Sequence, residues 1–204
     1  MSAARKRIHA TAMKLFGDQG VTRVSISELA VAAGMARGTI YANVDDVDGL
    51  FEEVAAQLIH EMMNRVVASF PDGEDPARNL SIGVRQYIRR AHDEPAWGRF
   101  MNRFGMSNVS LQAVWATDPV ANLREGIASG RYRIQESQLP SMVGMLTGGT
   151  LAAMLPVLEG HGTWRDIASD TAELMLVALG LTRREARTLA RSELPRLPEL
   201  PEAA

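Results

Sequence analysis

Residues 25–44, SISELAVAAGMARGTIYANV, decide how this chain folds. Ser25 is a natural N-cap, and Glu28 three residues on completes a capping box. Val24 and Leu29 occupy the two positions of a hydrophobic staple. A first short helix then runs through Leu29, Ala30 and Ala33. Gly34 follows, able to take a left-handed turn without a Cβ clash. A second helix begins near Ala36 and carries Ile40 and Val44, four apart and so on one face. Ala30 lets the two helices approach and Ile40 fills the space between them. The opposite face shows Arg37, Thr39, Tyr41 and Asn43, each a hydrogen-bond donor, with Gly38 among them. This is the pattern of a helix-turn-helix, whose second helix enters the major groove of DNA. An ordinary helical hairpin also places Ala and Gly this way.

The residues in front favour the DNA reading. Residues 5–20, RKRIHATAMKLFGDQG, form an amphipathic helix with Ile8, Ala12, Leu15 and Phe16 on one stripe and Gly20 as its stop. Three helices in 44 residues suit a small DNA-binding head. In those residues Arg5, Lys6, Arg7, Lys14, Arg23 and Arg37 exceed Asp18 and Glu28 by four charges, whereas the whole chain carries −2, leaving −6 for the rest. A positive head on a negative body is the asymmetry of a protein that meets phosphate at one end.

RIHATAMKLFGDQG, VTRVSISELAVAAGMARGTIY and GLFEEV, in this order and without gaps, resemble the DNA-binding domain of the tetracycline-repressor (TetR) family of bacterial transcription regulators. The resemblance implies an all-α homodimer. Its N-terminal three-helix domain would bind an operator, and its variable C-terminal helical domain would bind a small effector and set the spacing of the two heads. It places Arg37, Gly38, Thr39, Tyr41 and Asn43 at positions that meet bases or phosphates, and Ser25 and Ser27 where a helix start meets phosphate. The sequence also departs from the family. Asn43 and Val44 replace the usual histidine-aromatic pair, and Ala36 replaces a frequent capping Ser. Val47, among Asp45, Asp46 and Asp48, stands where a phosphate-binding lysine is expected. Asp46 is a candidate cap for the next helix, but carboxylates there would repel phosphate.

The body reads as helices with clear punctuation. One runs from Asp48 or Gly49 to about Phe70. PDGEDP is a loop ending in the cap–proline pair Asp75-Pro76. Pro95 and Asp118-Pro119 open two more helices, and a long apolar one follows from Glu136 to Glu159. Thr163 with Asp166, and Thr182 with Glu185, cap the last two. The tail LPRLPELP is polyproline-like. The domain division expected is 1–47 for the DNA head, 48–193 for the effector and dimerisation body, and 194–204 for the tail.

Trp97, Phe100, Met101, Phe104, Trp115, Met142 and Met145 supply aromatic and thioether surface. Core is the favoured reading for any one of them, and lining for an apolar or amphipathic effector is the alternative. The last two long helices are apolar on more than one face, which suits a homodimer joined by a four-helix bundle. Its two heads would address a palindromic operator with half-sites roughly 34 Å apart or a multiple of it. Residues 137–158 lack charge and are long enough to span a membrane, but their prolines, glycines and polar residues favour a buried or dimer-facing helix. With no cysteine, disulfides, thiolate metal sites and cysteine nucleophiles are excluded. A basic start without an apolar signal region points to the cytoplasm. His9, His60, His92 and His161 are scattered. His60-Glu61 has Asn64 where a metalloprotease needs its second histidine, and no phosphate loop or nucleophile elbow is present. No catalytic residue, metal site or cofactor is therefore expected. A helical protein-interaction module is the runner-up reading and an enzyme the less favoured one.

Overall fold

The computed structural model describes residues 1–71, 75–108, 111 and 118–199. Trp115, residues 72–74 of the PDGEDP loop and the tail beyond 199 lie outside the described residues. Ten α-helices and one 3-10 turn make up the regular structure among them.

The head contains α1 (Ala3–Gln19), α2 (Ile26–Ala33) and α3 (Arg37–Tyr41). The hydroxyl of Ser2 caps α1 by accepting the Arg5 N–H at 3.1 Å. Gly20, at φ 73°, ends it. Ile8, Ala12 and Phe16 are buried as expected, and Leu15 half-buried. The capping box of α2 is reciprocal: the Glu28 N–H donates to Ser25 Oγ at 3.1 Å and the Ser25 N–H to Glu28 Oε2 at 2.8 Å. These bonds from Ser25 hold the exposed Glu28 carboxyl below its ordinary pKa. Gly34 closes α2 at φ 60°, and the Met35 N–H then returns to the Ala30 carbonyl at 3.0 Å. Leu29, Ala30, Ala33 and Ile40 fill the small core beneath.

Two expectations about the head need correction. The helix α3 stops at Tyr41, so Val44 is buried but lies beyond the helix. The cause is local: the Asn43 amide donates to the Thr39 carbonyl at 2.9 Å, an alternative to continuing the helix. Asp46 does not cap the following helix. Its Oδ1 accepts the Asp48 N–H at 2.9 Å, and Gly49 stands at the N-cap of α4 (Leu50–Val67) without a side-chain bond.

The body comprises the rest of α4, then α5 (Pro76–Asp93), α6 (Pro95–Phe104), α7 (Asp118–Ala128), the 3-10 turn Glu136–Gln138, α8 (Leu139–Leu158), α9 (Trp164–Ala178) and α10 (Arg183–Ala190). Helix α5 is the axle: α4, α6, α7, α8, α9 and α10 all pack on it. That position explains its buried polar residues Ser81, Arg85, Gln86 and Arg90. Arg90 is held by Glu61 at 3.2 Å and Glu94 at 3.1 Å, and its guanidinium lies 4.7 Å from the Trp97 ring centroid.

Head and body meet where α1 packs on α6. Phe16 of α1, Phe51 of α4, and Phe100 and Phe104 of α6 form one aromatic cluster, with ring centroids 4.9–5.6 Å apart in the four contacts it contains. Gly17 makes this approach possible: a Cβ there would stand 3.1 Å from the Phe100 backbone N. Arg99 Nε donates to Asp18 Oδ1 at 2.7 Å across the same seam.

Three ties join distant parts of the chain. Arg131 donates to both oxygens of Asp75 at 2.7 and 2.6 Å and to Glu185 at 2.6 Å, joining the start of α5 to the first turn of α10. Asp75 itself caps α5 through the Ala77 N–H. Glu185 therefore serves Arg131, while Thr182 alone makes the side-chain cap of α10. The third tie is the tail. The carbonyls of Leu189, Ser192, Pro195 and Pro198 accept from Ser81, Arg85, Gln86 and Arg65, at 3.3, 2.8, 2.7 and 2.8 Å. Leu189 still belongs to α10; beyond it Ser192, Pro195 and Pro198 are spaced by three, the repeat of a polyproline helix, so one side of this extended segment faces α5 and α4.

Candidate nucleic-acid interface

Helix α3 owes its placement to Ile40, which is fully buried and fixes the rotation of the helix. Its neighbours Arg37, Gly38 and Thr39 are exposed, and Tyr41 keeps 66% of its surface in solvent. Arg37 makes no ion pair or hydrogen bond among the described residues, leaving its five N–H donors available. No Cβ contact would exist within 4 Å of Gly38, so a flat surface can approach the backbone there. Asn43 stands apart from this group. It is half-buried, its amide is bound to Thr39, and its Oδ1 accepts from the Ser2 hydroxyl at 3.0 Å. It ties the end of α3 to the start of α1.

Ser25 and Ser27 flank the start of α2. The Ser25 hydroxyl donates to the Glu28 carboxylate at 2.7 Å and is thus engaged within the protein. Ser27 is half-buried one residue into the helix. Among the head's cations, Arg5 is paired with Glu53, and Arg23 sits 3.9 Å from Asp48 with both side chains exposed. Exposed pairs of the second kind are worth little and open readily toward another anion. Val47 is half-buried against the core of the head, while Asp45, Asp46 and Asp48 are exposed around it. Glu53 also lies 3.3 Å from Nε2 of the buried His9, whose Nδ1 meets Gln57. The α1–α4 contact is therefore polar as well as apolar.

The described effector candidates divide between core and surface. Trp97, Phe100, Met101 and Phe104 are core, in the seam between head and body or beside Arg90. Met142 is half-buried and Met145 exposed on α8. None of these six described residues lines the apolar cavity of about 120 Å³ that the body does contain. That cavity lies between the C-terminal half of α4 (Met63, Val66 and Val67, with Phe70 beyond), one face of α5 (Asn79, Leu80, Gly83, Val84, Tyr87), the start of α7 (Pro119, Asn122) and the middle of α8 (Leu146, Thr147, Thr150). Aromatic richness misled because large rings are most useful where two domains must be joined rigidly. The cavity wall is mostly aliphatic, with only Phe70 and Tyr87 as aromatic rings among the described residues, and so carries no distinctive mark in sequence.

The described residues contain no cluster of three or more His, Asp or Glu able to hold a metal. Helix α8 belongs to the one described stretch, Glu136–Leu158, long and apolar enough to cross a membrane; a third of that stretch's most apolar window is buried in the protomer. Its outward face carries Met145 and Leu155, 42% and 44% exposed, and α9 adds Leu174 at 71%.

Comparison with known proteins agrees with this architecture. The profile of bacterial regulatory proteins of the tetR family matches residues 8–54, and that of the tetracyclin repressor-like C-terminal domain matches residues 75–192. The chain belongs to the tetR family of bacterial regulatory proteins. It is similar to the HTH-type transcriptional regulator AcrR of Shigella flexneri, 39% identical over 70 residues, which are 33% of each chain. An uncharacterized HTH-type transcriptional regulator of Mycobacterium tuberculosis is 26% identical over 93 residues, 46% of each. The matches thus span a third to a half of the length of these curated relatives. Among solved structures, RolR in complex with resorcinol superposes with a TM-score of 0.69 at 24% identity, covering 96% of both chains. A tetR-family regulator from Shewanella sp. PV-4 gives 0.74 at 20% identity, covering 89% of this chain and all of the other. These structural likenesses establish the all-helical fold.

Proposed function

We propose that this protein is a dimeric operator-binding repressor, acting in the cytoplasm, whose DNA affinity falls when a small molecule fills the cavity between α4, α5, α7 and α8. The observation that carries the DNA reading is the split character of α3. Ile40 is wholly inside, while Arg37, Thr39 and Tyr41 are exposed on a helix of the right width for the major groove. In this reading Arg37, Gly38, Thr39 and Tyr41 face the duplex, Ser27 and the start of α2 meet phosphate, and Ser25 and Asn43 hold the two helices in place. Residues 1–47 act as the head, 48–193 as the body, and the tail as part of the body's surface.

The dimer would form through α8 and α9. Met145, Leu155 and Leu174 give an apolar face that one protomer leaves uncovered, and Gly144 and Gly148 leave room for a second backbone. Four such helices make a bundle and present the two heads to a palindrome. Coupling would run through α4. Its first turns pack on the head through Phe51, and its last turns wall the cavity through Met63, Val66 and Val67. An effector that favours one setting of α4 must weaken DNA by the factor by which DNA weakens the effector.

The test is selection of bound sequences from randomised duplexes, followed by a salt titration of the recovered operator. A palindromic consensus and a steep negative log–log slope are expected. Arg37→Ala should cost about 1–3 kcal/mol and relax preference at one base position. A protein that enriches no sequence at low salt refutes the reading.

A further inference from the structure

The effector cavity has a chemistry of its own. We infer that it accepts an uncharged, single-ring molecule bearing at least one hydroxyl, and that it rejects carboxylates, ammonium compounds and long acyl chains. The inference rests on the reading of this cavity as the effector site.

Size comes first. At about 120 Å³ the space is slightly below the roughly 150 Å³ of an apolar protein cavity known to admit benzene. A single ring is about the most that it encloses, and a chain of eight or more carbons would reach beyond it. Charge comes second. Among the described residues no Asp, Glu, Lys, Arg or His stands in the wall, which is built of aliphatic side chains, Met63, Phe70, Tyr87, two amides and two threonines. An ion entering would lose its hydration with no counter-charge to replace it.

The third argument is the pair of polar atoms left without partners. Thr147 is 6% exposed, and its buried Oγ1 has no hydrogen-bond partner. Thr150, on the same helix, differs: its hydroxyl donates to the Leu146 carbonyl at 2.7 Å. Across the cavity on α5, the buried Oδ1 of Asn79 is also unpartnered. The other amide in the wall is used up. Asn122 Nδ2 donates to the Pro76 carbonyl at 2.9 Å, and its Oδ1 accepts from the Tyr132 hydroxyl at 2.9 Å. Among the described residues the wall thus offers one open acceptor, Asn79 Oδ1, and one open hydroxyl, Thr147, which accepts or donates. A ligand hydroxyl answers both, donating to Asn79 and accepting from Thr147. A pure hydrocarbon answers neither and leaves two buried groups unmet.

Phenol, toluene, benzoate and octanoate discriminate these claims, measured by calorimetric titration and thermal shift on the full chain. Phenol should bind at least tenfold more tightly than toluene, and benzoate and octanoate should not bind. Thr147→Val combined with Asn79→Leu should bring the phenol-to-toluene ratio close to one while toluene binding persists, which shows that the variant is folded. Gly83→Ala places a methyl in the cavity with Val66 Cγ1 as its nearest neighbour at 3.7 Å, an ordinary contact. It should weaken phenol and toluene alike without lowering the melting temperature. Benzoate or octanoate binding as tightly as phenol would overturn the proposal. So would a phenol-to-toluene ratio untouched by the double variant, phenol binding unaffected by Gly83→Ala, or no binding of phenol at all. Failure of the broader reading looks different: phenol binds as described, yet the affinity for the selected operator does not change.

Discussion

Gly144 and Gly148 lie in the middle of α8, and a Cβ at either would have no atom of the same protomer within 4 Å. Within one chain, then, nothing requires glycine, and each costs the helix roughly 0.8–1.0 kcal/mol relative to alanine. Replacing both with alanine should therefore stabilise an isolated protomer by about 2 kcal/mol. The dimer proposed here predicts the opposite effect on association. The gain in helix propensity is shared by monomer and dimer and cancels from the dissociation equilibrium. What remains is four added methyls at a close helix crossing. Overpacking costs about 1–3 kcal/mol per site, so the lower end gives about 4 kcal/mol and a dissociation constant raised roughly a thousandfold. Sedimentation over a concentration series gives the dissociation constant, and urea unfolding at concentrations where both proteins are monomeric gives the protomer stability. A double variant that melts higher and stays as dimeric as the wild type would refute the reasoning, because the glycines would then face solvent.

Three further outcomes are expected. Gly17→Ala sets a helix-propensity gain of about 1 kcal/mol against overpacking of about 1–3 kcal/mol. The atoms it meets are the backbone of α6 at 3.1 and 3.4 Å, which cannot rotate away; a net loss in urea unfolding is therefore expected, with weaker operator binding as the head is pushed off its seat. Val47→Lys adds a cation whose stem can lie along the half-buried position while its amine reaches outward. It should steepen the salt slope by about 0.9, an extra loss of roughly 3.5-fold between 50 and 200 mM salt, and an unchanged slope in fluorescence anisotropy would reject a nearby phosphate. Burial pushes the Asp75 carboxyl up, but the hydrogen bonds from Arg131 and the Ala77 N–H and the charge of Arg131 outweigh it and leave the pKa lowered. Its stabilisation is therefore complete above the unfolded value of about 3.9 and lost as pH falls through the lower folded value. In urea melts across pH, the gap between wild type and Asp75→Asn should hold steady from neutral pH down to about 5 and narrow below it.

The head was largely legible because its signals are local. Ser25, Glu28 and Gly34 act within four residues of themselves, and Ile8, Ala12 and Phe16 repeat at the helical period. The end of α3 was not legible, since it depends on where one Asn43 amide points. Long-range ties were invisible for a different reason. Arg131 and Asp75 are 56 residues apart, and nothing near either announces the other. The seam aromatics show the same limit: Phe100 and Phe104 stand out in the sequence, but only three-dimensional packing tells a ring that joins two domains from one that touches a ligand. The cavity escaped altogether because its open atoms, Thr147 Oγ1 and Asn79 Oδ1, are distinguished by what they fail to bond.

From Ser192 onward the C-terminal segment is gripped by its main-chain oxygens at every third residue, with the half-buried Leu197 side chain packed on the core beside them. Such a grip is blind to residue identity but acutely sensitive to count. Outside Leu197, drift in amino-acid type along this stretch should be accepted wherever the extended conformation survives. One residue added or removed between 190 and 197, however, would slide every downstream oxygen off its donor at once. Evolution, and any engineer appending a label through this region, is therefore constrained in length far more than in lettering.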